Sequence, residues 1–344
     1  MPSHFTHLLF AEEALRNALG PSAREVLDRH GPLFRFGAQG PDFFYHNQRT
    51  KPVGIRYGVS LHRSGYGRMT AHMAGEAKRL GMTHTSELGA FILGFATHAS
   101  LDRLTHPYIV YFSGWTDPKK PETREFYRCH AFLERILDVL VLERRFGLSL
   151  VNFDFVSLID CGQGLPYSVV KALVKALNAT YPAMEHKSRD RHRVENAYKD
   201  TRFYYRLTNH LNPRLLELAY RKDRKEGFAQ RRLTLVHPWQ VPTDIDFLNT
   251  AGAEWLHPCD PSTKSRAGFL ELYDMALDEA VKDLKTLVRT IDNGGSLALL
   301  AEEIGDEDLD TGREHCAPVV SNPLPLSEVL AAMYRSLEDR AAGS

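Results

Sequence analysis

Residues 98–106, His-Ala-Ser-Leu-Asp-Arg-Leu-Thr-His, constrain this chain more than any other stretch. His98, Asp102 and His106 recur every four residues, so on an α-helix they stack along one face. The preceding run, Leu88 to Thr97, is almost wholly apolar (Leu88, Phe91, Ile92, Leu93, Phe95), which predicts a buried helix. Two imidazoles and a carboxylate on a buried stripe are costly unless their lone pairs and charges are satisfied. A metal ion would satisfy all three. The simpler alternative is a helix end that frays into solvent before Pro107, leaving the polar residues wet.

The rest of the chain reads as helices. His7 to Leu19 is predicted helical, with Thr6 as N-cap and Gly20-Pro21 as its stop. Ser22 caps a second helix ending near His30-Gly31. Residues 31–67 show no sustained period and read as a long functional loop rich in Gly, Pro and aromatics, holding Asp42, His46 and His62. Further helices are expected at 68–80, from Thr85 or Ser86 through His98, and at 122–146. Others follow at 166–178, 190–210, 213–221, 262–292 and 326–340. Residues 113–121 form a polar connection, and 222–261 are mixed, with weak strand character at most. No βαβ alternation is present, so the fold class is all-α. The division expected is a metal-binding core over 1–150 and a helical extension over 151–344 packing on it as one continuous unit.

Lys+Arg and Asp+Glu are each 43 in 344 residues, a balance that gives no support to a nucleic-acid partner or an acidic membrane surface. Histidine is the informative residue type: ten of the sixteen lie before residue 131. The four cysteines (Cys129, Cys161, Cys259, Cys316) form no C-x-x-C pair. They suggest neither a disulfide framework nor a thiolate zinc site, which fits a reducing compartment. Met-Pro-Ser-His-Phe-Thr-His at the start has no basic segment followed by an apolar one, so no secretory leader is expected. No apolar run approaches the roughly 18 residues of a membrane span. Cytoplasmic location is the expectation.

In chain order the ligand-type residues are His7, Asp42, His62, His98, Asp102, His106, His130 and Glu134. Histidines and carboxylates without cysteine suit zinc, or manganese or iron. Eight exceed one tetrahedral site, so two or three metals are implied, an arrangement suited to phosphate esters. Each residue also has a plainer use: His7 exposed on its helix, Asp42 in an ordinary turn, His130 and Glu134 as a surface i,i+4 pair.

His98-x-x-x-Asp102, the nearby His106-Pro107 and then His130-x-x-x-Glu134 resemble the signature of zinc-dependent phospholipase C. That family includes bacterial phosphatidylcholine-cleaving enzymes and clostridial alpha-toxins, and is related in fold to fungal three-zinc nucleases. Thr6-His7 before an apolar helix resembles its first helix, and Gly40-Pro41-Asp42 its aspartate loop. The likeness covers roughly residues 4 to 150. It implies one zinc held by Asp42, His62, His98 and Asp102, a second by His106, His130 and Glu134, and a third by Asp102 and His7. Asp42 would orient or deprotonate the attacking water as general base. The implied activity is phospholipase C-like hydrolysis of a phospholipid or related phosphoester.

The chain departs from the family pattern in several places. Secreted members use a processed N-terminal residue at the third metal, a place His4 could take here. The Asp102 to His106 interval is two residues shorter. The gap from Asp42 to His62 is longer, which makes His46 a rival for His62. No C-terminal β-sandwich is foreseen. Two other readings stay open: a nuclease- or phosphatase-type activity on the same centre, and a non-catalytic helical metal-binding protein. The basic run 221–232 reads as a solvated helix end, and Trp239, Trp255, His237 and His257 either wall a pocket or pack.

Overall fold

The structure, a computed structural model, describes residues 4–186, 188–314 and 316–342, with side chains through 339. In chain order the helices are α1 (Phe5–Leu19), α2 (Ala23–Gly37), α3 (Ile55–Arg63), α4 (Tyr66–Arg79), α5 (Glu87–Ser113) and α6 (Cys129–Arg144). They continue as α7 (Phe155–Leu158), α8 (Tyr167–Thr180), α9 (Asp190–Leu207), α10 (Pro213–Lys225), α11 (Phe269–Asn293), α12 (Leu297–Ile304) and α13 (Leu326–Ala342). One antiparallel hairpin, β1 (Trp255–His257) with β2 (Asp260–Ser265), interrupts an all-α fold.

Helix α5 is the axis of the molecule. Ser86 caps it by accepting from the Gly89 amide at 3.1 Å, and Leu88 through Asp102 are all buried. It packs against α2, α11, α1, α4, α6 and α8. Phe34, Phe91, Phe95 and Leu101, at most 1% exposed, each contribute about 1.5–3 kcal/mol by leaving water. The α2–α5 crossing is close because glycines face it. A Cβ on Gly94 would lie 2.0 Å from the Phe34 carbonyl oxygen, and one on Gly37 would lie 2.3 Å from that of Phe91. Apolar residues from Phe10 to Leu337 join in one core, so segments after 150 pack directly on the helices before it.

Several sequence expectations are corrected. Helix α1 starts at Phe5, placing Thr6 inside it. Its first amides are satisfied by a distant carboxylate, Asp138, so no local cap was needed. Helix α2 continues past the expected stop: His30 leaves helical geometry (φ −138°, ψ 25°), and Pro32 begins a second segment reaching Gly37. Residues 31–67 are accordingly no long loop. They contain the end of α2, a 3-10 turn at Gly40–Phe44, α3 and the start of α4. Helix α5 does not fray at Pro107 but runs on to Ser113, because Tyr108 to Phe112 are buried.

The expected 122–146 helix is a 3-10 turn, Pro121–Phe126, then α6 after Arg128 in left-handed geometry (φ 63°). The expected 262–292 helix starts only at Phe269. Before it, Asp260 collects the Ser262 amide and hydroxyl and the Thr263 hydroxyl, which holds β2 extended. Helices α7 and α12 were not anticipated. Cys259 and Cys316 form a disulfide, against the reading of unpaired cysteines, whereas Cys129 and Cys161 are free. Trp255 packs: its indole N–H donates to the Ala267 carbonyl at 3.0 Å, and its ring lies against Tyr108 and Tyr111. In the 221–232 run, Arg232 is bound to Asp223 and Glu226 and Arg221 to Glu217.

Candidate metal centre

Four elements converge on the polar stripe of α5. Helix α1 brings His7, the 3-10 turn Gly40–Phe44 brings Asp42, α3 brings His62 and α6 brings His130 and Glu134. All eight predicted residues meet. Ligand atoms of His7, Asp42 and His98, of His62, His98 and Asp102, and of His106, His130 and Glu134 form three groups, each within 4.8 Å of one another.

Asp102 is the hub. Its Oδ1 lies 3.1 Å from His7 Nε2 and 3.6 Å from His106 Nε2. Its Oδ2 lies 2.9 Å from His98 Nε2 and 4.0 Å from His62 Nε2. Asp42 spans the other side, with Oδ1 at 3.0 Å from His62 and Oδ2 at 3.6 Å from His98. Glu134 Oε1 stands 3.1 Å from His130 and 3.5 Å from His106. Only His130, 31% exposed, has appreciable contact with solvent; the other side chains of the group are at most 7% exposed.

The rings are held from behind. His62 Nδ1 donates to the Gly58 carbonyl at 2.8 Å, and His98 Nδ1 to that of Ala38 at 3.2 Å. A carbonyl can only accept, so Nδ1 carries a proton in both rings and Nε2 is the nitrogen turned to the centre. Gly40 (φ +54°) makes room: a Cβ there would lie 2.3 Å from His98 Cγ. A side chain at this position would displace the ring.

Protonation follows from crowding. Burial opposes charge on His62, but its bond to Asp42 and that carboxylate's charge outweigh this and lift it to about 9. Burial likewise opposes charge on His106, yet Asp102 and Glu134 raise it to about 10. Burial pushes Asp102 and Glu134 upward, but the surrounding histidines win and hold both far below the usual carboxylate range. Burial wins at His98 and lowers it.

The residues fit metal ions. Asp42 Oδ2, Asp102 Oδ2, His98 Nε2 and both Glu134 oxygens are buried without a hydrogen bond of proper geometry. That many orphaned acceptors on one wall is costly for a protein core. The nitrogen and oxygen set suits zinc or a similar divalent ion.

The two rival histidines lie elsewhere. His46 Nδ1 sits 3.3 Å from Thr201 Oγ1, and its ring stacks on Tyr204 at 4.4 Å, so His62 takes the place beside Asp42. His4 Nε2 faces Arg135 at 2.9 Å, not the cluster.

Sequence reasoning missed a wall of the site. Leu309 donates its amide to the His62 carbonyl at 2.6 Å. The strap it belongs to is tied by Asn322 to Tyr111, by Leu324 to Phe112, and by the Cys259–Cys316 disulfide. Beside His62 the strap encloses a cleft of about 930 Å³, lined by Arg63, Val110, Asp308, Asp310 and Glu314 among others. No motif marks these acids, which reach the site only through tertiary folding. Asp138 was also missed, although it extends the His130, Glu134 spacing by four more residues.

No model of a known protein family, no curated protein and no solved structure matches this chain. Among the described residues, no helix is long and apolar enough to cross a membrane.

Proposed function

We propose that this chain is a multi-zinc phosphoesterase of the phospholipase C type, hydrolysing a phosphodiester with activated water. The observation that carries the reading is the buried Asp102 carboxylate, which belongs to one of the three ligand groups and whose Oδ1 reaches His7 and His106 of the other two. His7, Asp42, His62, His98 and Asp102 would hold one or two metals, and His106, His130 and Glu134 another. Bound there, the metals would neutralise phosphoryl oxygens and make water nucleophilic near neutral pH.

The chain's own groups supply the rest. Asp42 is kept ionised by His98 and His62 against the pull of burial. Its unpartnered Oδ2 is the atom assigned to orient the attacking water and take its proton. The cleft lined by Arg63 and Asp310, next to His62 although none of the eight ligands lines it, is the approach assigned to the substrate. Three carboxylates there face one arginine, a lining that disfavours polyanions such as nucleic acid over a single phosphodiester. This favours the phospholipase-type reading over a nuclease on the same centre.

The test is an initial-rate panel with zinc present: p-nitrophenyl phosphorylcholine, short-chain lecithin below its micelle threshold, large vesicles, and an oligonucleotide. The expected order places the two soluble diesters first. Hydrolysis of the oligonucleotide alone would favour the nuclease reading, and no turnover in metal-loaded protein the non-catalytic one. Cytoplasmic action, the sequence expectation, is checked separately by trapping thiols at lysis. A Cys259–Cys316 bond in the trapped protein would place the chain in an oxidising compartment instead.

A further inference from the structure

Helix α6 carries its stripe one step beyond the ligands: His130, Glu134 and then Asp138, at four-residue intervals. Asp138 is fully buried, and its carboxylate is aimed at the first turn of α1. Oδ1 accepts from the Phe5 amide at 3.0 Å, the Thr6 amide at 2.8 Å and the Thr6 hydroxyl at 2.8 Å. Oδ2 accepts from the His4 amide at 2.9 Å and from His237 Nε2 at 2.7 Å. Anions are favoured at helix N-termini, where amides have no partner within the helix. Here that anion comes from the helix that bears the second ligand group, not from a local cap. The next residue of α1 after Thr6 is His7, whose Nε2 lies 3.1 Å from Asp102.

We propose that Asp138 is a positioning residue for the metal centre: it clamps the start of α1 to α6 and so sets where His7 stands relative to Asp102 and Glu134. The inference rests on the metal-centre reading, but its geometry is independent of any ion. Around the clamp, His237 is stacked on Phe5 at 3.8 Å, which closes the assembly from outside. Arg135 Nη1 lies 3.9 Å from Asp138 Oδ2 and offsets its charge. A clamp of this kind acts on one ligand in particular. His98, Asp102 and His106 are fixed by α5, Asp42 by the Gly40–Phe44 turn and His62 by α3, whereas His7 depends on how the first turn of α1 is seated.

Asp138→Asn replaces one acceptor oxygen by a donor and sets N–H against N–H in the clamp. Two measurements follow on the full chain. Side-chain ¹⁵N-histidine spectra of metal-free protein report each imidazole, and zinc content with competitive zinc titration reports the sites. In Asp138→Asn the His7 resonances should shift toward solvent values while those of His106 and His130 stay. Zinc at the His7 side should weaken about 10–100-fold, the range for residues supporting a ligand, with the His106, His130, Glu134 side retained. Thr6→Val keeps the volume and removes one of the five bonds, so it should move His7 the same way by less and serves if Asp138→Asn does not fold. Unchanged His7 resonances, or equal shifts of His7, His106 and His130 together, would overturn the proposal. Wild-type protein without zinc would instead defeat the metal-centre reading, while the His7 spectra would still decide the role of Asp138.

Discussion

At the scale of single residues, the centre divides labour unequally. Asp102 presents both oxygens to four imidazoles, whereas His7 meets the cluster at one nitrogen. Asp102→Asn should therefore abolish zinc binding on both sides and reduce turnover by more than about 100-fold. His7→Ala should cost one metal at most and leave measurable activity. Elemental analysis beside initial rates checks this, and equal losses in both variants would contradict it. Gly40→Ala should be as damaging as a ligand change. Its left-handed backbone alone costs about 1–2 kcal/mol in a non-glycine residue, and the added methyl meets the His98 ring. The expected outcome is a lower melting temperature together with lost zinc. At this scale the sequence was most legible: four-residue spacing on a helix is fixed by geometry, so the 98/102/106 and 130/134 stripes could be seen directly. The choice of His62 over His46 could not, since it depends on α3, nine residues too short to show a clear period.

At the scale of elements, α11 lies along α5 and touches it through one polar contact in an apolar seam. Asp283 sits 3.0 Å from Ser100 Oγ, and burial lifts its carboxyl to about 7 despite that bond. A raised acid prefers its proton in the fold, so its favourable share of stability is present below its unfolded value and lost as pH climbs through 7. Asp283→Asn should consequently raise the melting temperature by several degrees at pH 8, a gain that shrinks as pH falls toward 4. Thermal unfolding of both proteins at pH 4, 6 and 8 measures it, and a gain independent of pH would contradict the assignment. Most elements were legible from apolar periodicity and from punctuation such as Ser86 and Gly20-Pro21. The errors share a cause. Gly31-Pro32 reads as a stop although the core carries the chain through as a kink, and Ser262 reads as a start although Asp260 holds the segment extended.

At the scale of the whole molecule, the strap after α12 joins the last third of the chain to the first. It binds His62, the end of α5 and, by the disulfide, the β1–β2 hairpin. Cys316→Ser opens a loop of 57 residues and should cost about 2–4 kcal/mol. Because the cleft wall moves with the strap, KM for a soluble diester should rise while zinc content stays constant. Loss of stability with unchanged KM would mean the strap does not shape the cleft. None of this long-range closure could be read from the sequence, because contacts such as Leu309 with His62 follow no local pattern.

The central claim is that eight side chains from five elements hold metal ions around Asp102. Anomalous scattering from crystals, measured on both sides of the zinc edge, tests site number and ligands together. At least two peaks are expected, one among His7, Asp42, His62, His98 and Asp102 and one among His106, His130 and Glu134. A zinc-supplemented crystal with no peak within bonding distance of Asp102 or Glu134 would contradict it.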